Sequence, residues 1–221
     1  MALTKFNYNS FDVTPVASAG LAFNSGANGL TSLKGTSQVL IKTITASNDS
    51  TISFVDGSSD VVLDNTYPVY LFKFINLHTA NDDVHLKVNF SADTGSNYNV
   101  TKTSTYFKTY HAEDDSGTAS VAYDDGHDIA QGTGAMSLRN DAGNANDESS
   151  SGELWLFNPS STTYVKHFIY RLTCNQRNDA ASENFGTGYC NTTSAVDAVQ
   201  FSVSGGNYDS GTFKLYGIKD S

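Results

Sequence analysis

The clearest signal in the chain is a period of two. Val84, Leu86, Val88 and Phe90 are apolar, while His85, Lys87 and Asn89 between them are polar. Successive side chains of a strand point to opposite faces, so this spacing predicts a strand with one face in a core. Thr51–Val55 alternates in the same way, and Asp56-Gly57 after it is a turn signal. Val39–Ile44 and Tyr106–Tyr110 read as further strands. Tyr70–Leu77 is almost continuously apolar, which predicts a central strand covered on both faces. Strands are also predicted over Glu153–Phe157, Lys166–Thr173, Val196–Val203 and Gly211–Ile218. In the last of these Phe213 and Leu215 share one face, and Tyr216 and Ile218 make the other face apolar too. The closing strand is therefore expected to be covered on both sides.

About nine or ten such strands, joined by turns and without a βαβ rhythm, predict an all-β antiparallel β-sandwich of the jelly-roll kind. Two segments break the pattern. Residues 1–35 have small side chains and no sustained period, yet they carry Phe6, Tyr8, Phe11, Leu21 and Phe23. They read either as a solvated terminus or as an extended arm that orders against a neighbouring subunit. The expected organisation is an N-terminal arm over 1–35 and a β-sandwich domain over 36–221. Residues 111–150 are small and acidic, with Glu113-Asp114-Asp115 and Asp124-Asp125-Gly126-His127-Asp128 among them. They read as a long outward-facing excursion, with room for a short helix or strand, in which an insertion near Gly143 should be tolerated.

Composition sharpens this picture. Aromatic residues make up 12% of the 221 residues and charged ones only 16%, so Ser, Thr, Asn and Gly supply the polarity. That mix favours strands and turns over helices. The net charge of -10 and the lack of basic runs argue against a nucleic-acid partner. No apolar run approaches the roughly 20 residues of a membrane-spanning helix, so no membrane insertion is expected. Met1–Asn7 lacks the apolar stretch of a secretory signal, so synthesis in a cytoplasm without export by that route is expected.

Candidate chemistry is sparse. The Gly-x-Ser-x-Gly elbow, the phosphate-binding Gly-Lys-Ser/Thr loop and His-Glu-x-x-His are all absent from the sequence. His78, His85, His111, His127 and His167 have no nucleophile suggested beside them. The acidic residues read as loop residues, with no strand-borne carboxylate pair of the kind a glycosidase uses. Asp124–Asp128 is the better candidate for a Ca²⁺ loop, although a solvated acidic turn is the plainer reading. No enzymatic activity, cofactor or metal is expected. Cys174 and Cys190 read either as small buried hydrophobes or as a disulfide between neighbouring strands. Trp155, the only tryptophan, must face away from Leu154 and Leu156 if these face the core. It is then either a platform for a sugar ring or a patch covered by an arm or a neighbour.

Several stretches carry a resemblance: Tyr70–His78, Gly95–Thr101, Leu156–Thr163, Gly188–Ala195 and Ser210–Ile218. In this order they resemble structural and tail-fibre-like virion proteins of tailed phages of marine bacteria, cyanophages above all. The resemblance runs from about Ser37 to the end. It implies a non-enzymatic virion component made in the host cytoplasm and carried on the particle exterior, as capsid decoration or as a fibre or appendage module. Other virion proteins and further copies of itself, as a homotrimer, are the expected partners. The alternative is a lectin-like tail protein that recognises host surface glycan.

Overall fold

The computed structural model describes Leu21–Phe23, Leu30–Ser32 and residues 37–220. The chain divides into two compact units, Met1–Ser37 and Gln38–Ser221. In the first unit, β1 (Leu21–Phe23) pairs antiparallel with β2 (Leu30–Ser32). Phe6, Tyr8 and Phe11, which carry much of the reading of a docking arm, lie outside the described residues.

The second unit is built from strands in two antiparallel sheets. Its strands are β3 (Gln38–Thr45), β4 (Thr51–Val55), β5 (Val69–Thr79), β6 (Val84–Ser91), β7 (Lys102–Ser104), β8 (Phe107–Ala112) and β9 (Ser120–Tyr123). They continue with β10 (Ile129–Gly132), β11 (Met136–Ala142), β12 (Ser150–Phe157), β13 (Lys166–Gln176), β14 (Ala180–Cys190), β15 (Ala198–Val203) and β16 (Tyr208–Ile218). The broad sheet runs β10-β7-β14-β13-β12-β5-β16-β3, with β8 on the remaining edge of β14 and β9 outside β8. The small sheet runs β11-β6-β15-β4. Each small-sheet strand is entered from the broad sheet and returns to it. Ten strands facing four make an open sandwich, with which a jelly-roll order is compatible. No helix among the described residues is long and apolar enough to cross a membrane.

The alternation read from the sequence sets the two inner faces. Val84, Leu86, Val88 and Phe90 of β6 are buried, as are Leu154 and Leu156 of β12 and Phe168, Tyr170 and Leu172 of β13. Phe201 of β15 sits at the centre, with ring centroids 5.0 Å from Phe74, 5.4 Å from Phe72 and 5.5 Å from Phe213. Farther along, Phe90 stacks on Phe168 at 5.4 Å. β16 lies between β5 and β3, with Phe213 and Leu215 in the core and Tyr216 and Ile218 half-buried on the other face.

Three expectations change. Residues 111–150 are not one loop, since they contain β9, β10 and β11. β11 is a core strand, and Met136, Leu138, Arg139, Asn140 and Ala142 are all buried. Gly143 itself is buried, and a Cβ there would collide with the Glu148 carboxylate, so the exposed residues beside it, 144–147, are where an insertion fits. Second, β5 is covered on both faces only in part: Leu71 is fully buried on the outer side, but Ile75 is 41% exposed. Third, β14 was not legible as a strand. Its inner face presents Gly186 and Gly188, where a Cβ would strike the rings of Tyr170 and Phe168 on β13. The glycines that look like turn punctuation make room for these two aromatic side chains.

Candidate functional site

The outer face of the broad sheet gathers the exposed chemistry. Its residues are those that alternate with the core positions, and the register aligns them in rows across the strands. One row runs Ile169, Trp155, Leu71, Tyr216, Leu40 across β13, β12, β5, β16 and β3. Leu71, flanked by Trp155 and Tyr216, is fully buried, while Ile169 remains 44% exposed. The neighbouring row runs Tyr123, Phe107, Phe185, Arg171, Glu153, Lys73 across β9, β8, β14, β13, β12 and β5. Three rings are therefore followed by alternating charges. Phe107 stacks on Phe185 with centroids 5.4 Å apart, and Tyr123 meets Phe107 edge-on at 5.0 Å. Arg171 forms an ion pair with Glu183 of β14. The Lys73 ammonium lies 5.7 Å from the centre of the Tyr216 ring.

Between these rows lies a shallow cavity of about 580 Å³. Trp155 and Ile169 line it from one row, Phe107, Phe185, Arg171 and Glu153 from the other, with Glu183 and Thr187 completing it. A second shallow cavity adjoins it and shares Glu153, Arg171 and Glu183. The expectation that no carboxylates pair on strands is thus corrected. Glu153 on β12 and Glu183 on β14 line the same cavity; Arg171, on the strand between them, is the ion-pair partner of Glu183 and stands in register with Glu153. Phe107 and Phe185 were missed as site residues, because their meeting depends on a pairing between distant strands.

The other candidate residues are spread over the molecule. Asp124 bonds to Lys108 at 2.7 Å and lies 3.2 Å from His127. Burial works to raise its pKa, but the Lys108 and His127 contacts prevail and hold it at about 2. Asp128 is taken by the Tyr123 hydroxyl. The carboxylates of this turn therefore point at different partners, and no group of acidic, His or Cys side chains among the described residues is set to hold a metal. His127 packs between Tyr106 and His85. His78 bonds to Asp209 and to the Ala145 carbonyl, which together outweigh burial and raise its pKa. His111 lies 3.4 Å from Asp115 on the surface, and His167 sits beside Tyr189 on the outer face.

The cysteines do not pair. Both are free and buried. Cys174 stands opposite Ser182, whereas Cys190 stands opposite Lys166, eight residues away along β13. At about 3.4 Å per residue they are roughly 27 Å apart, far beyond the ~7 Å Cα limit of a disulfide.

Cys190 instead marks a buried row that the sequence did not disclose. Lys102 of β7 and Lys166 of β13 flank it in register, and both lysines are fully buried. The Lys102 ammonium donates to Asn89 Oδ1 at 2.7 Å and to the Val100 carbonyl at 3.0 Å. Lys166 donates to the Tyr164 and Thr192 carbonyls. Burial pushes the Cys190 thiol up to about 12 and lowers Lys102 to about 8. Between pH 8 and the ordinary lysine value of 10.5 the unfolded chain therefore holds the Lys102 proton and the folded chain does not. Stability from this group rises with pH across that window. In paired melting curves, the native protein should gain on Lys102→Met from pH 7.5 to about pH 10. A constant gap would show that Lys102 is not desolvated.

By fold the chain is an open antiparallel β-sandwich protein with an aromatic and charged outer face. It matches no family model, no curated protein and no solved structure.

Proposed function

We propose that this chain is a non-enzymatic structural protein on the exterior of a tailed-phage virion, a capsid decoration protein or a fibre or appendage module. The stretches that resemble such proteins form most of β5, the β6–β7 connection, the end of β12 with the loop after it, the end of β14 with the loop after it, and most of β16. The observation that carries the proposal is the open edge of β9. All four of its residues are exposed, Val121 by 72%, and among the described residues β9 pairs only with β8. An exposed edge with an apolar side chain is a template for another strand. β3 forms the opposite edge of the same sheet and exposes Leu40. Pairing one edge with the other is a head-to-tail contact, the kind that closes into a ring such as a homotrimer.

Light scattering on the full chain should give a trimer mass, and Val121→Lys should reduce it to a monomer without changing the melting temperature by more than a few degrees. An antibody to the protein should decorate intact particles. A native chain that stays monomeric at high concentration would refute the edge contact, and its absence from purified particles would refute the virion assignment. A second reading, recognition of host surface glycan, is favoured by the position of Trp155 on the outer face.

A further inference from the structure

The outer-face cavity has features that assembly alone does not explain. Its walls are aromatic and its rim carries hydrogen-bonding groups of both kinds. Trp155 on β12 and Phe185 on β14 stand on either side of β13 and line one cavity. They stand two strands apart and two positions apart along the strands, with backbones about 12 Å from each other. Both line the space between, where a pyranose ring can rest on them. Ile169, 44% exposed on the strand between, provides an apolar floor. The edge of such a ring is studded with hydroxyls. Glu153 and Glu183 can only accept from these while ionised, and Arg171 can only donate.

We propose that this cavity is a glycan-binding site, and that its ligand is an uncharged hexopyranose chain. The cavity is shallow and adjoins a second one that shares Glu153, Arg171 and Glu183. A continuous open trough, lined by successive positions of β12, β13 and β14, suits a polymer running along these strands better than a compact small molecule. The charges do not favour acidic sugars. In the first cavity two carboxylates stand against one arginine, which is already paired with Glu183; Lys73, which lines the second, stands in register beside Glu153, and the protein's net charge is -10. The C–H face of a neutral sugar on Trp155 and Phe185 needs no counter-charge. The inference deepens the second reading above and does not depend on the virion assignment, which the particle-labelling experiment tests separately.

Trp155 is the only tryptophan, so its emission reports this site directly. The full chain is titrated with maltohexaose, cellohexaose, mannohexaose and polygalacturonate fragments while tryptophan emission is followed. The expected result is a saturable change with at least one neutral hexasaccharide and none with polygalacturonate. Trp155→Ala, read by saturation-transfer NMR because it lacks the fluorophore, should weaken binding by about tenfold or more. Trp155→Phe, which keeps a flat ring, should restore most of it. Glu183→Gln, which keeps an acceptor and leaves the aromatic walls in place, should weaken binding by a smaller factor. Melting curves confirm that each variant is folded; the Phe variant decides the matter if the Ala variant is not. No binding of any neutral hexasaccharide by the folded native chain overturns the proposal. So does binding that a folded Trp155→Ala protein retains in full, or a preference for polygalacturonate. A drop in light-scattering mass on Trp155→Phe with no glycan bound would make the face a contact between copies instead, and would overturn it equally.

Discussion

A chain that stops at Ser210 will not fold. β16 is an interior strand of the broad sheet, paired along its length with β5 on one side and β3 on the other. Removing it exposes the inner-facing edge of β5 and leaves β3 with no partner in the sheet. It also withdraws Phe213 and Leu215, which are almost wholly buried, from the core. Truncating Leu215 alone to Ala should cost about 2–5 kcal/mol through a cavity. Loss of the whole strand exceeds the 5–15 kcal/mol typical of a domain's total stability. Removing Lys219, Asp220 and Ser221 should be nearly silent by contrast. Circular dichroism and thermal melting of the two truncations decide the point. A soluble, cooperatively melting protein without residues 211–221 would show that β16 is peripheral.

Phe201→Ala should be the most damaging single core substitution. The ring is in contact with Phe54 and Phe72 at 6.2 and 5.4 Å and with Phe74 and Phe213 at 5.0 and 5.5 Å. Phe201 and Phe54 belong to the small sheet, and the other three to the broad one. The residue thus ties the two layers together, and neighbours fixed in separate sheets cannot collapse into the space it leaves. The expected loss is about 3–5 kcal/mol, at the upper end for such changes. Phe201→Leu should cost appreciably less. Denaturant titration of both variants checks this, and equal losses would mean that ring contacts add nothing beyond volume.

What could be read from the sequence was governed by how each strand meets the core. β6 presents apolar residues inward and polar ones outward, and β12 and β13 keep an apolar inner face over Leu154–Leu156 and Phe168–Leu172, so their patterns alone revealed them. β14 has the same orientation but places Gly186, Gly188 and Asn184 inward, against rings that arrive from β13. Its pattern becomes intelligible only once the partner strand is known. β11 is hidden for a related reason. Ser137, Arg139 and Asn140 are buried in it, and their partners are distant: the Arg139 guanidinium donates to the Asn175 carbonyl, and the Asn140 N–H donates to the Tyr106 hydroxyl at 2.8 Å. No local rule anticipates a charged residue in the core.

The candidate site was legible in the same uneven way. The orientation of Trp155 follows from its two leucine neighbours. The company it keeps does not. Phe107 reaches the cavity through the β8–β14 pairing across a long stretch of sequence, and Phe185 lies on β14, whose strand pattern its inward glycines obscure. Lys102 and Lys166 were invisible because lysine is normally a surface residue, and only the register places them on either side of Cys190.

The state of that thiol has a practical meaning. Cys190 is held as a protonated thiol far above neutral pH, and Cys174 is buried too far away to reach it. Thiolate is the species that oxidants, alkylating agents and disulfides attack. In the folded chain Cys190 is therefore a poor target for oxidants, and the two thiols are too far apart to cross-link within it.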